Sequence, residues 1–302
     1  MTPGRMLITG AGGFVGRALA LGFARLGWEI CAVDRSFDDS ARDDRVDQVV
    51  TDLRDPDWSL IPRVDVVVHA AWLTTHPKTL GLTAGEFERQ NLVPLDNVLA
   101  YATRTSPEAL VFVSSSGVFA ADDSATGLTD ALAPTGGTPY ATSKLQGEAL
   151  ASMWGTDGVE RTHVIRLGYL FGPHEVARAS REGISLIAHW MNEAREGRPL
   201  EVRADDPARD WTYTPDLAPA LARLISGPSA RRPIHFGSPH VVRDGELASW
   251  ITAEIGGHVV TVPSGAPLKA PMVTSDIAAL RDVSWTPPRD GIRALLEAEA
   301  VA

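Results

Sequence analysis

The chain has 302 residues, and its 38 acidic side chains outnumber its 28 Lys and Arg residues, which gives a formal net charge of −10 at pH 7. This balance argues against nucleic acid or an anionic membrane surface as a partner, because both select basic proteins. The hydrophobic share of 44% and the charged share of 22% are those of a folded globular protein, which excludes a disordered tail or a fibre.

The cysteine content and the apolar stretches indicate where the protein acts. Cys31 is the only cysteine, so no disulfide can form within the chain, as is typical of a reducing compartment. The N-terminus leads into a strand-like segment without the features of a secretory signal. The longest apolar stretch, residues 66–73, is far shorter than the roughly 20 residues that span a bilayer. We therefore expect a cytoplasmic protein without a membrane partner.

Short runs rich in Val and Ile alternate with helical patterns up to about residue 167. Such runs are typical of parallel strands that are covered on both faces by crossover helices. Strands are predicted over residues 5–9, 28–33, 47–51, 64–69, 109–114 and 162–167, with helices over 14–26, 84–104 and 140–154. The predicted fold class is therefore α/β, with a doubly wound parallel Rossmann sheet.

The pattern changes after residue 172. Helices over 184–196 and 215–225 and strands over 234–236 and 258–262 are separated by charged or Pro-rich connections. We predict a Rossmann domain over residues 1–172, to which 210–238 returns, and a smaller, mostly helical C-terminal substrate-binding region that consists of 173–209 and 239–302. A ligand is expected between the two.

A glycine-rich turn follows the first strand and opens a helix. Glycine is needed where the backbone takes a positive φ angle and where a Cβ would keep a pyrophosphate from the free N–H groups of a helix start. The spacing is not the usual Gly-x-Gly-x-x-Gly, so a simple tight loop is the alternative. The turn predicts a dinucleotide cradle formed by Gly10, Gly13, Phe14, Val15 and Gly16.

An acidic residue follows the second strand. Asp34 lies close to the roughly 20 residues after the glycine turn at which a ribose-binding acid is expected. Its carboxylate would accept hydrogen bonds from the ribose and repel a 2′-phosphate, which favours NAD as the cofactor. Arg35 leaves NADP open, because an arginine there can accommodate that phosphate. The alternative for Asp34 is a cap at the strand end.

A Tyr and a Lys share one face at the start of the third predicted helix, where the sequence reads Tyr140-Ala141-Thr142-Ser143-Lys144. A phenol titrates near pH 10 and can exchange a proton at neutral pH only where a positive charge stabilises the phenolate. Such pairs also recur by chance on surface helices. Ser114-Ser115-Ser116 at the end of the fifth strand strengthens the case, because an active-site hydroxyl belongs there in an open parallel sheet.

Together, the motifs TGAGGFVG, SSSGVF, YATSK and RDWTYTPD resemble the extended short-chain dehydrogenase/reductase family, in its NAD-dependent epimerase/dehydratase group, over nearly the whole chain. The resemblance implies hydride transfer between a substrate carbon and nicotinamide. It implies that Tyr140 moves a proton at the substrate oxygen, that Ser115 hydrogen-bonds the same oxygen, and that Lys144 lowers the pKa of Tyr140 and holds the nicotinamide ribose. It also implies cofactor contacts from Asp52, Leu53, Ala70, Ala71 and Asn91.

Departures from the family pattern bear on the substrate. Dehydratases of this type carry Asp-Glu after the active-site hydroxyl, where this chain has Ser116 and Gly117, so dehydration is not expected. Tyr169 replaces an Asn typical of nucleotide-sugar enzymes, whereas Arg209 stands where many of them bind the diphosphate. Arg209 could equally be a solvated charge in an acidic loop. The candidate substrate-binding residues are Ser116, Tyr169 and Arg209.

A sugar or nucleotide-sugar substrate is therefore predicted. A small sugar acid, lactone or other hydroxy or keto compound is the alternative, and a dinucleotide-sensing protein without catalysis is a third hypothesis. The resemblance also implies a homodimer formed through helices 84–104 and 140–154. His, Cys and carboxylate residues show no metal-ligand spacing, so we expect no metal site.

Overall fold

The computed structural model describes residues 2–38, 43–154, 161–228 and 232–301. The first part of the chain alternates strands and helices, as predicted, and the element ends differ from the predictions by at most two residues. The strands are β1 (Arg5–Thr9), β2 (Glu29–Asp34), β3 (Val46–Val50), β4 (Val66–His69), β5 (Ala109–Ser115) and β6 (Arg161–Leu167). The helices are α1 (Phe14–Arg25), α2 (Ala84–Thr105) and α3 (Pro139–Met153).

Among the described residues, the second part of the chain holds five further α-helices and short strands that the sequence pattern mostly did not reveal. In chain order, the elements are β7 (Tyr169–Phe171), α4 (Leu186–Arg195), β8 (Leu200–Arg203), β9 (Ala208–Tyr213), α5 (Leu217–Ile225), β10 (Ile234–His235), β11 (Val241–Arg243), α6 (Asp244–Ile255), β12 (Val259–Val262), α7 (Ala278–Arg281) and α8 (Pro288–Val301).

Seven parallel strands form the large sheet, in the order β10-β6-β5-β4-β1-β2-β3. Alternate residues of one strand enter different cores: Met6 and Ile8 pack towards α1 and α5, whereas Leu7 packs towards α2 and α3. Burial on both faces explains why inner strands such as β4 and β5 are nearly continuous apolar runs. The doubly wound Rossmann sheet is thus confirmed.

The order of the large sheet reverses at β1, which pairs with β2 on one side and with β4 on the other. At such a point the chain leaves the two neighbouring strands in opposite directions, which opens a crevice at their carboxyl ends. Gly10 follows β1 at this crevice and Ala70 follows β4, and the Ala70 N–H donates to the carbonyl of Thr9 at 3.1 Å. The topology therefore places the predicted cofactor residues together.

The second part of the chain is divided between the large sheet and two small ones. The helix α5 packs on α1, where Ala218 meets Gly22, and β10 extends the sheet beside β6. The strands β7, β9 and β11 form a three-stranded sheet, while β8 pairs with β12. We propose that the smaller region begins at β7, includes β9, and is interrupted by residues 217–235. Within the described ranges, no helix combines the length and the apolar character needed to cross a membrane.

Candidate active site

A cleft of about 480 Å³ opens at the carboxyl ends of the parallel strands. Its walls come from the loops after β1, β2, β3 and β4, from the end of β5, from α3, and from the segment after β6. All but one of the predicted site residues line it. These are Gly10, Gly13, Phe14, Val15, Gly16, Asp34, Arg35, Asp52, Leu53, Ala70, Ala71, Asn91, Ser115, Tyr140, Lys144, Tyr169 and Arg209. Ser116 lies buried behind this wall.

The glycine turn has the shape of a phosphate cradle. Gly10 adopts φ +71°, and a Cβ on it would lie 2.5 Å from the Ala71 nitrogen. A Cβ on Gly16 would lie 2.1 Å from the Gly10 carbonyl oxygen, so only glycine lets α1 begin this close to β1. Gly13 precedes α1 without a side chain that could cap its first turn. The first N–H groups of α1 are therefore suited to a pyrophosphate.

The acid after β2 is held in a fixed orientation at the cleft. Asp34 accepts a hydrogen bond from the Gly12 N–H at 2.9 Å and another from the Arg35 N–H at 2.7 Å. The carboxylate of Asp52 is engaged by Arg54, whose hydrogen bonds lower the pKa of that carboxyl. Asp34 is therefore better placed than Asp52 to accept hydrogen bonds from a ribose.

Asn91 supplies a second indication that the cleft fits a polar cofactor. Its side chain is 1% exposed, and its Oδ1 accepts a hydrogen bond from the Leu73 N–H at 2.7 Å. Its Nδ2 is buried and has no hydrogen-bond partner among the described residues. A buried amide donor without an acceptor is unfavourable, and a bound cofactor would supply the acceptor.

Tyr140 and Ser115 meet at the cleft wall. Burial raises the pKa of the Tyr140 phenol, while a hydrogen bond with Ser115 and the charge of Arg181 act in the opposite direction. A Cβ on Gly117 would lie 2.8 Å from the ring of Tyr140, so glycine is required for the phenol to lie this close. Thr138 caps α3 by accepting from the Ala141 N–H at 3.1 Å, which fixes the start of the helix.

Lys144 is 3% exposed and lies one helical turn after Tyr140. Its Nζ donates to the Val113 carbonyl at 2.7 Å and lies 4.0 Å from the centre of the Trp72 ring. Burial lowers its pKa well below the usual value, and Glu148 partly offsets that effect. The positive charge that acts on the phenol in this structure is that of Arg181. The role implied for Lys144 in lowering the pKa of Tyr140 stays a prediction.

A buried network next to Tyr140 and Lys144 was missed by sequence reasoning. Glu148 accepts a hydrogen bond from Ser114 at 2.6 Å and two from Arg166, at 2.8 and 2.7 Å. It joins α3 to β5 and β6, which positions Tyr140 and Lys144. The signal available in the sequence was the spacing of Glu148 four residues after Lys144, on the same helix face.

The substrate end of the cleft holds more charge than expected. Arg209 makes two hydrogen bonds to Asp244, at 2.7 and 2.8 Å, and lies 5.0 Å from the centre of the Tyr169 ring. Behind this pair, Lys269 Nζ lies 2.8 Å from Ser116 Oγ, and burial lowers the pKa of Lys269 to about 8. No motif marks Lys269, which comes from a loop of the C-terminal region.

A segment after β6 crosses the mouth of the cleft; we call residues 174–185 the cleft strap. Arg178 forms an ion pair with Asp38 on one side. On the other side, the Thr74 N–H donates to the Ser180 carbonyl at 2.8 Å and the Glu182 N–H donates to Thr75 Oγ1 at 3.0 Å. The strap was not predicted.

His69 is buried in β4. Its Nδ1 lies 2.8 Å from Thr9 Oγ1, a hydrogen bond between neighbouring strands. Burial, followed by the charge of Lys144, lowers the pKa of His69 to about 3, so it remains neutral. No cluster of three metal-ligating side chains occurs in the described part of the chain.

Comparison with known proteins identifies the family. The NAD dependent epimerase/dehydratase family matches residues 6–236. The 2-alkyl-3-oxoalkanoate reductase of Stenotrophomonas maltophilia (strain K279a) is 27% identical over 271 residues, or 83% of this chain and 76% of that protein. An epimerase of Methanothermobacter thermautotrophicus has a TM-score of 0.81 at 22% identity, covering 99% of this chain and 94% of its own. A Thermotoga maritima UDP-glucose 4-epimerase solved with UDP-glucose has a TM-score of 0.82 at 16% identity, covering 99% and 100%. The chain belongs to the NAD dependent epimerase/dehydratase family.

Proposed function

We propose that the protein is an NAD-dependent oxidoreductase or epimerase that acts at a secondary alcohol or ketone. The observation that carries the proposal is the hydrogen-bonded pair of Tyr140 and Ser115 in the wall of a cleft whose other end is the glycine cradle. NAD, when bound, accepts or supplies the hydride. The residues that would hold it are Gly10, Gly13, Phe14, Val15, Gly16, Asp34, Asp52, Leu53, Ala70, Ala71, Asn91 and Lys144.

Tyr140 performs the proton transfer in this proposal. Because burial raises its pKa, the phenol is protonated at neutral pH and acts as a proton donor to a ketone oxygen. In the reverse direction the Tyr140 phenolate, formed by loss of this proton, accepts the proton of the alcohol. Ser115 donates a hydrogen bond to the same oxygen and stabilises the charge that develops there.

The observations at the substrate end favour a small hydroxy or keto compound over the nucleotide sugar predicted from the sequence. Both carboxylate oxygens of Asp244 already bind Arg209, so this guanidinium is less available for a diphosphate. The relatedness to a 2-alkyl-3-oxoalkanoate reductase supports the same choice. A nucleotide-sugar epimerase is the second candidate, because Arg209 still lines the cleft.

Turnover of defined substrates tests this function. Purified protein is mixed with NAD or NADH and with hydroxy acids, oxo acids, free sugars and UDP-sugars, and nucleotide oxidation state and sugar configuration are followed. Tyr140→Phe should lower kcat by about 100-fold or more, the usual contribution of a general acid, while NAD still binds. If the wild-type protein binds NAD but Tyr140→Phe turns over as fast, the role of Tyr140 is wrong.

We also infer a cytoplasmic homodimer that pairs through α2 and α3. The location is supported by the cysteine content, because Cys31 in β2 is the only cysteine and no disulfide can form within the chain. The dimer is supported by the family resemblance. Light scattering of the purified protein measures the mass of the assembly, and a monomer at micromolar concentration would contradict the dimer.

A further inference from the structure

Arg181 is a residue of the cleft strap whose side chain lines the cleft. Its guanidinium carbon lies 4.8 Å from the centre of the Phe14 ring, at the start of α1. Its charge opposes the rise that burial causes in the pKa of Tyr140. Arg181 therefore lies against the start of α1, next to the glycine cradle, and its charge also acts on the phenol.

The two terminal nitrogens of Arg181 have different surroundings. Nη2 lies 2.5 Å from Glu175 Oε1, and Glu175 also accepts hydrogen bonds from the backbone and the hydroxyl of Ser185, at 2.7 and 2.6 Å. Nη1 is buried and has no hydrogen-bond partner among the described residues. The carboxylate thus fixes the guanidinium while one pair of N–H groups is left without an acceptor.

Such an arrangement is unfavourable without a ligand. The Arg181 side chain is 28% exposed, but Nη1 itself is buried, and a buried donor without an acceptor carries a desolvation cost. The first turn of α1 adds further positive charge nearby, because it has no acidic residue and no side-chain cap. An anion between Arg181 and α1 would satisfy both groups.

We propose that Arg181 is the oxyanion-binding residue of the cleft and that its Nη1 donates to a phosphate or carboxylate oxygen. This inference rests on the proposed function, because it takes the cleft as the site of NAD and substrate. The oxyanion comes either from the pyrophosphate of NAD or from an acidic group of the substrate. Glu175 orients the guanidinium, and the strap carries it over the cleft.

Binding measurements with full-length protein test the proposal. Arg181→Gln removes the charge, and Arg181→Lys keeps it. Thr75→Val is the matched control, because it removes an anchor of the strap without touching Arg181. Affinities are measured by calorimetry for NAD, for ADP-ribose, which keeps the pyrophosphate, and for adenosine, which lacks it. Acetoacetate and acetone, a ketone with and without a carboxylate, are then titrated into the NADH complex.

If the pyrophosphate is the ligand, Arg181→Gln should lower the affinity for NAD and for ADP-ribose by about 10- to 100-fold, the usual loss for a charge-assisted hydrogen bond. The affinity for adenosine should stay unchanged. If a substrate carboxylate is the ligand, NAD should bind normally while acetoacetate loses its advantage over acetone. In either case Arg181→Lys should recover part of the loss, and Thr75→Val should change affinity much less.

Three results would overturn the inference. One is that Arg181→Gln binds NAD, ADP-ribose and acetoacetate as tightly as the wild type does. Another is that Arg181→Gln loses as much affinity for adenosine and acetone as for the ligands that carry the oxyanion, which would indicate a disturbed cleft. The third is an equal loss in Thr75→Val, which would indicate a role only in holding the strap. A wild-type protein that binds NAD and depends on Tyr140 would still support the proposed function in all three cases.

Discussion

Single residues at the end of a strand carry the proposed choice between NAD and NADP. Asp34 ends β2, and its carboxylate is oriented by hydrogen bonds from the backbone of Gly12 and Arg35. Its carboxylate lines the cleft, where we propose that it meets the ribose of NAD.

We expect the wild-type protein to bind NAD more tightly than NADP, because Asp34 repels a 2′-phosphate. Asp34→Asn keeps the shape of the side chain and removes its charge. It should reduce the preference for NAD over NADP by about tenfold, mostly through weaker NAD binding. Fluorescence titration with both nucleotides measures the ratio of dissociation constants. Arg35→Ala is the companion variant, and it should weaken the binding of NADP but not that of NAD. An unchanged ratio in Asp34→Asn would contradict the assignment.

The site residues that were predictable from the sequence are those whose spacing along the chain fixes their geometry. The glycine turn and the pair Tyr140 and Lys144 each lie on one local element, so their distances follow from the backbone. Arg181 reaches the cleft from a distant loop, and Lys269 reaches the buried Ser116 from another. Their placement depends on tertiary contacts, such as that of Lys269 with Ser116, for which no local pattern exists.

At the scale of elements, α3 depends on a buried ion pair for its position. Glu148 on α3 binds Arg166 of β6 with two hydrogen bonds and also accepts one from Ser114 of β5. Removing one partner of such a pair leaves the other charge buried without compensation. The orientation of the helix that carries Tyr140 is coupled to this pair.

Glu148→Gln should therefore lower the free energy of unfolding by about 3 to 5 kcal/mol. The double variant Glu148→Met with Arg166→Met should recover most of the loss, because well-packed apolar groups often replace a buried ion pair without cost. Urea unfolding followed by circular dichroism measures both. A double variant as unstable as Glu148→Gln would show that the loss does not come from an unpaired Arg166.

The elements themselves were predictable where burial is continuous. The inner strands β1, β2, β4 and β5 are apolar and buried over most of their length, and their apolar runs are visible in the sequence. The strands β7 and β11 have only three residues each, too few to show a period. The strand β9 reads ARDWTY, with charged residues that resemble a loop. Its pairing with β7 and β11 is decided by the tertiary structure.

For the whole molecule, buried histidines link folding to pH. Burial lowers the pKa of His69 to about 3, and burial followed by the charge of Arg161 lowers that of His163 to about 4. The unfolded chain binds protons at these residues near pH 6.5. Between these values the unfolded state binds more protons, so stability rises with pH and is lost as the pH falls from about 6.5.

His163→Phe should make the unfolding free energy less dependent on pH, by about 1.4 kcal/mol per pH unit between pH 4.5 and 6. The measurement is a series of urea titrations across this range. Thr162→Val is the control, because it alters the neighbouring position without a titratable group. The same slope in His163→Phe and in the wild type would rule out this origin of acid sensitivity.

The cleft strap has a kinetic consequence, because it is attached on both sides of the opening. If the cleft binds NAD as proposed, we expect exchange of the nucleotide to require some of these attachments to break, so that a local opening of the chain limits its rate. In Thr75→Val, which loosens one attachment, association and dissociation of NAD should both accelerate while the affinity changes little. Stopped-flow fluorescence separates the two rates, and a slow off-rate in the wild type would leave the enzyme loaded between turnovers.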